Sequence, residues 1–424
     1  MSVIKFFQST VFTQYYLYHK TKLKTKRVLF YKSILLDGPA DHNERVRELK
    51  KAFKQNSLGL FKVHDAFWLL LIQQLTQNDQ SEYLQEKLNE LPAKYFKVTD
   101  WIELSSLFIT LGFFQCALVA REKGVEKAYQ LSSNKLSFFF NSDAITGATI
   151  DRFDKNTLIK ALQYSSIRRT HVGTSPVRNF LNYYTGASQN KKFDTPEFYN
   201  LIKGKNVAVV GPLTLTHKAI EEINSFDLII KVNVIDINKA IKDEPGLNWD
   251  KVIVYITPRL LNKLIKENGI DKVEKPIAYI TRILSPLKQY KGKYVNSHGV
   301  LFRSMYNLNF FTFNGGLNFL PRVILDTYYH EAENIKVFGA DLYSSLNYAS
   351  DYQTNSALNK HERYSEIFIG HDIITQYKVI SQLYYHDVFT ADERLDDVMK
   401  LGLNGYLKLM EKNFQPHFIN MQTI

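Results

Sequence analysis

Only one cysteine, Cys116, occurs in the 424 residues, so the chain has no intramolecular disulfide framework and no multi-cysteine metal site, and a reducing cytoplasm fits best. No His or Cys cluster has zinc-ligand spacing. The phosphate loop G-x-x-x-x-G-K-[S/T] is missing, as is the G-x-S-x-G nucleophile elbow, and no three-glycine dinucleotide fingerprint occurs. There is no Asp-x-Asp, the pair that holds a divalent metal on a nucleotide diphosphate in many sugar transferases. Apolar runs stay well below the ~18 residues that span a membrane; Ala66–Leu75 has the size of a buried helix. Lys5, Gln8 and Gln14 interrupt the first residues, which therefore do not read as a signal peptide.

What is there describes a globular protein: 45% hydrophobic and 23% charged residues, with 26 Tyr and 29 Phe. The length allows two domains. A net charge of +12 asks for an anionic partner, but no RNA- or DNA-binding signature accompanies it, and a nucleic acid is not expected. His19, Lys20, Lys22, Lys24, Lys26 and Arg27 form a basic cluster between aromatic flanks. It reads as a solvated surface, or as a peripheral contact with an anionic leaflet at the inner face of the plasma membrane.

Residues 1–195 read as a mainly helical domain. Trp101, Leu104, Leu107, Leu111, Phe114 and Ala117 recur at helical spacing, with Gly112 at a turn between two helices and Thr99-Asp100 as a cap. This is one helical hairpin, and no second copy at a fixed period makes it a repeat array. Helices are also expected over 65–77, 80–91 and 154–169. Thr170 to Pro196 is a Ser-, Thr-, Asn- and Gly-rich connector, and the domain boundary is placed near 195.

Residues 196–424 read as an α/β domain. Val207–Val210 is a β-branched run that stops at Gly211-Pro212, as a strand buried on both faces does. Thr214 or Thr216 can cap the helix that follows, and Leu228–Val232 is a second strand ending at Asn233. The turn between is expected to offer backbone N–H groups to an anion, unless the unit carries no ligand. Further strands are expected at Lys251–Tyr255, Ile277–Ile280 and Ile335–Phe338. A helix over Leu317–Tyr328 is expected to be interrupted by Pro321. Phe368–His371 is read as a short apolar strand leading into a helix over Ile373–Tyr385. Strands alternating with helices give a doubly wound sheet. Three patches fall where such sheets bind ligands: Gly211–Thr216 with Asn233, Asn314-Gly315-Gly316, and Ile369-Gly370-His371-Asp372. His371 is a candidate base or a surface residue at a helix start.

Taken in order, Gly211 before Lys231-Val232-Asn233, then Phe313-Asn314-Gly315-Gly316, Val337–Tyr343 and Phe368–Asp372 resemble the motifs of small bacterial sialyltransferases of the Campylobacter type, with animal sialyltransferases more distant. The resemblance covers about 205–385. It implies a Rossmann-like fold and an inverting, metal-independent transfer of sialic acid from CMP-sialic acid to a glycan or glycolipid, with no cofactor and no metal site. It places Gly211, Pro212, Leu213 and Thr214 at the CMP phosphate and ribose and Asn233 on the donor. Asn314 and Gly315, with Gly316, fall at the cytidine end. Asp341 and Tyr343 match a donor-site Asp-Phe-Tyr, Tyr348 a tyrosine on the leaving phosphate, and His371 the general base. Two positions depart from the family. Thr257 stands for an asparagine, and Phe368 stands for a second phosphate-binding tyrosine. Restoring that hydroxyl by Phe368→Tyr is expected to return part of what Tyr348→Phe loses, provided the ring points at the phosphate. The function expected is sialic acid transfer in capsule, lipopolysaccharide or other surface-glycan synthesis. CMP-Kdo is the alternative donor. A non-catalytic sugar-nucleotide-binding scaffold of a polysaccharide assembly complex is the alternative of another class.

Overall fold

The computed structural model describes residues 30–56, 68–73, 81–91, 96, 98–130, 150–159, 196–232, 234, 237–268, 276–281, 298–304, 317–345, 367–368 and 371–419. The basic cluster at 19–27 and the connector at 170–195 lie outside them, as do most of the helix expected over 154–169 and the ends of the one over 65–77.

The short β-branched runs become strands because helices cover both of their faces. The strands are β1 (Asn206–Val210), β2 (Leu228–Val232), β3 (Val252–Ile256), β4 (Ala278–Thr281), β5 (Leu301–Ser304), β6 (Asn334–Phe338) and β7 (Thr390–Ala391). They form one sheet in the order β5-β4-β3-β2-β1-β6-β7, every neighbouring pair parallel. β5 and β7 had no counterpart in the expected strands.

Successive side chains alternate between two apolar cores. Ala208, Val210, Ile229, Val254 and Tyr279 point to one, where α6 (His217–Asn224), α7 (Ile237–Asp243) and α8 (Pro258–Asn268) supply Ile223, Ala240 and Leu261. Val207, Val209, Ile230, Ile253 and Ile280 point to the other, with Val323 and Ile324 of α9 (Phe319–Tyr329) and Ile380 of α10 (Ile373–Tyr385). Helices thus lie on both faces of a parallel sheet, an arrangement compatible with a Rossmann-like fold. Each fully buried Val or Ile contributes about 1.5–3 kcal/mol relative to exposure.

The second core does not end at α10. It continues into α1 (His42–Asn56), α2 (Ser81–Glu90), α3 (Val98–Leu111) and α4 (Phe114–Gln130), into α11 (Glu393–Lys400) through Leu395 and Met399, and into α12 (Gly402–Ile419) through Tyr406, Leu407, Met410 and Phe414. α3 and α4 form the expected hairpin. Gly112 between them has φ +81°, and a Cβ there would come within 2.6 Å of the Gln415 backbone, so only glycine allows both the turn and the approach of α12. α3 begins at Val98, which puts Asp100 inside its first turn rather than before it. Cys116 is buried in this core and is not part of a disulfide.

A buried polar cluster ties α9 to the sheet. Arg303 of β5 donates to both oxygens of Asp326, at 2.7 and 3.0 Å, and the Tyr255 hydroxyl of β3 donates to Asp326 Oδ2 at 2.7 Å. The Arg303 guanidinium also stacks 4.2 Å from the Phe198 ring of α5 (Pro196–Ile202). Pro321 does not interrupt α9. It lies in the first turn, where its missing N–H has no partner to lose, and Asn318 caps the helix by accepting from the Leu320 N–H.

Candidate functional site

β1 to β5 run outward in one direction from β1, and β6 lies on its other side, so the strand order reverses between β1 and β6. In open α/β sheets a crevice opens at the carboxyl ends of the strands at such a reversal. Here the crevice is lined by Gly211 and Pro212 after β1, Val232 of β2 and Thr257 after β3. Leu317, Asn318, Phe319, Leu320 and Arg322 come from the start of α9, Ala340, Asp341, Leu342 and Tyr343 from the end of β6, and His371 from before α10.

Gly211 serves the strand junction. Its N–H donates to Phe338 O at 2.7 Å, the Leu213 N–H donates to Gly339 O at 3.0 Å, and a Cβ on Gly211 would collide with the Gly339 carbonyl. Two of the N–H groups expected to face an anion are therefore engaged by Phe338 of β6 and the Gly339 that follows it, and Pro212 has none. Leu213 is buried beside Gly339, Thr214 is exposed, and neither is among the residues lining the crevice. Thr216, not Thr214, caps α6, accepting from the Ala219 N–H at 3.2 Å.

The loop after β6 is held in an uncommon conformation. Leu342 and Tyr343 have φ +52° and +73°, which costs on the order of 1–3 kcal/mol per non-glycine residue and persists only where neighbours enforce it. The enforcing group is Asp341, which accepts from the Tyr343 N–H at 3.1 Å, the Ser345 N–H at 2.8 Å and the Ser345 hydroxyl. The Tyr406 hydroxyl of α12 donates to Leu342 O at 2.6 Å. Burial pushes the Asp341 carboxyl above the ordinary value, against the lowering effect of these hydrogen bonds. Asp341 thus shapes the loop that presents Tyr343, whose hydroxyl accepts from Asn318 Nδ2 at 3.4 Å.

His371 is half-buried, and its N–H donates to Ile367 O at 2.7 Å. Of the strand expected over Phe368–His371, Phe368 lies in a helical turn with Ile367, His371 is an isolated bridge residue, and Ile369 and Gly370 lie outside the described residues. Asp372 follows as the N-cap of α10. Thr257 sits at the start of α8, its hydroxyl 3.4 Å from the Leu260 N–H. Asn233, Asn314, Gly315, Gly316 and Tyr348 lie outside the described residues.

Asn318 and Arg322 were not singled out from sequence. Asn318 carried a legible signal, a capping amide just before an apolar helix. Arg322 carried none, because a basic residue inside an apolar helix reads as its solvent face. It is in fact buried, with Nε donating to Leu317 O and Asn318 O at 3.0 and 3.1 Å and Nη2 to Leu317 O at 2.7 Å. Lys231, part of the Lys-Val-Asn motif, is a core residue paired with Glu244 and lying over the Trp249 ring.

The crevice therefore gathers an imidazole, a phenol, an amide and a guanidinium at one end of the sheet. An imidazole can take a proton from a hydroxyl near neutral pH, and the phenol and the amide can hydrogen-bond an anionic ligand, while the guanidinium is engaged by the Leu317 and Asn318 carbonyls. Among the described residues no group of His, Cys, Asp and Glu is arranged to hold a metal ion, and no helix is long and apolar enough to cross a membrane. No family model, curated protein or solved structure matches the chain.

Proposed function

We propose that the chain is an inverting, metal-independent glycosyltransferase that moves sialic acid from CMP-sialic acid to a glycan or glycolipid of the cell surface. One observation carries the reading. Gly211, Pro212, Thr257, Asp341, Tyr343 and His371, picked from separate motifs of the resemblance, line a single crevice at the reversal of strand order.

In this reading His371 takes the proton of the acceptor hydroxyl as the new bond forms at the anomeric carbon. The bond to the phosphate oxygen breaks with its electron pair, and CMP leaves. The anomeric carbon is tertiary and passes through an oxocarbenium-like state, so the burden on the protein is a base and hydrogen bonds for the phosphate charge. The Asn318 amide and the Tyr343 hydroxyl are the donors in the crevice lining, and Arg322 holds the turn that carries Asn318. Independence from metal rests on the missing Asp-x-Asp and on a donor with one phosphate.

The test is CMP release by purified protein given CMP-sialic acid or CMP-Kdo with and without glycan acceptors. Release with CMP-sialic acid above hydrolysis supports the reading, and release with CMP-Kdo alone reassigns the sugar. CMP binding without turnover of either donor overturns the enzyme and leaves a scaffold.

A further inference from the structure

α10 carries three polar residues at helical spacing on one face, Asp372, Thr375 and Lys378, and all three meet the helical half of the chain. Arg121 of α4 donates from Nη1 to both Asp372 oxygens, at 2.8 and 3.0 Å, and from Nη2 to the Thr375 hydroxyl. Lys378 lies 3.6 Å from Asp151. The Arg121 and Asp372 side chains are 2% and 0% exposed. Asp372 also accepts from the Thr375 N–H at 3.1 Å and the Thr375 hydroxyl at 2.7 Å, so the ion pair and the helix cap are one structure. Four residues on, Gln376 accepts from the Asn318 N–H at 3.3 Å at the other wall of the crevice.

A buried ion pair is weak support for stability, because its attraction is largely offset by desolvation. Placement is what a rigid guanidinium gives well when its two Nη groups hold different side chains, here Nη1 on Asp372 and Nη2 on Thr375. Asp372 is the next residue after His371, and its carboxylate decides where α10 starts. We propose that Arg121 is a positioning residue for His371, so that the helical half completes the site instead of standing apart from it. This rests on His371 being the base of the proposed transfer.

The experiment compares Arg121→Met/Asp372→Ser, which removes both charges and keeps a capping hydroxyl, with Arg121→Lys, which keeps the charge and loses the fork. The expected result is a kcat lowered by about 10- to 100-fold in the double variant, the scale of a misplaced reacting group. The donor KM stays within about threefold, thermal unfolding is little changed, and Arg121→Lys lies between the two. A folded double variant with kcat within about threefold of the parent overturns the proposal. Where the double variant does not fold, Arg121→Lys decides by the same criterion. The imidazole resonances of His371, assigned by their loss in His371→Gln, provide a reading independent of turnover. They shift in both variants if Arg121 places the ring, and unchanged resonances overturn the proposal even if no CMP-sugar is turned over.

Discussion

The Phe368 ring packs edge-on against that of Tyr343, with centroids 5.6 Å apart and planes at 72°. It is fully buried, enclosed also by Phe114 at 5.7 Å and Phe414 at 4.9 Å. The position where the resemblance has a phosphate-binding tyrosine is here a core position under the crevice, joining α4, α12 and the Tyr343 loop. Phe368→Tyr would place a hydroxyl among rings, at a cost of about 1–3 kcal/mol. The expected outcome is a lower denaturation midpoint, no gain in kcat and no rescue of Tyr348→Phe. Kinetics and denaturant titration of the single and double variants check it, and a rescue would show that the ring reaches the phosphate.

His371→Gln keeps a polar side chain but no base. Its kcat is expected to fall by about 10²- to 10⁴-fold, with CMP affinity and unfolding unchanged because His371 lines the crevice and is only half-buried. Steady-state kinetics with calorimetric CMP binding decide it. Turnover within threefold of the parent would remove His371 from the chemistry.

Turnover is expected to survive dialysis against excess chelator. The sequence has no Asp-x-Asp, and a single phosphate can be neutralised by hydrogen-bond donors alone. Activity that disappears and returns with Mg²⁺ or Mn²⁺ would point to a diphosphate donor.

Acid sensitivity should be concentrated at Asp326. Burial alone would raise its carboxyl, but Arg303, His330 and the Tyr255 hydroxyl outweigh that and hold it below the ordinary value. A depressed carboxyl contributes stability that is present above the unfolded value near pH 4 and is lost as pH falls through the folded value. Asp326→Asn leaves Arg303 buried without its carboxylate, which costs about 3–5 kcal/mol. Urea midpoints at pH 7, 5 and 3 should show the largest gap between parent and variant at pH 7 and 5, narrowing toward the acid end. A gap below about 1 kcal/mol at pH 7 would contradict the assignment.

Gly112→Ala should destabilise by more than the ~1–3 kcal/mol of a left-handed residue alone, because the new Cβ also meets the Gln415 backbone at 2.6 Å. Thermal unfolding measures it, and a change under about 0.5 kcal/mol would mean α12 does not seat against this turn.

Local chemistry made much of the framework legible. Runs such as Val207–Val210 and Leu228–Val232 are apolar at every position or nearly so, which only a strand covered on both faces requires, and they are strands. Gly112 and Thr216 announced a turn and a cap because those conformations select their residue types locally. Pro321 and Phe368 misled for the same reason: a breaker in the first turn breaks nothing, and so short an apolar run carries too little periodicity to tell strand from helix. Sequence placed residues at strand ends, but not beside one another. β5 and β7, with four and two residues, lie at the edges of the sheet, and their pairing depends on the strands already assembled. The adjacency of β1 and β6 makes the crevice, and it joins Gly211 to Phe338 and Leu213 to Gly339, far apart in the chain, through backbone hydrogen bonds that carry no residue code. Arg121 and Asp372 stand 251 positions apart. A charged residue in a helix reads as a solvent-facing one until packing encloses it, so tertiary structure alone joined the helical half to the residue after His371.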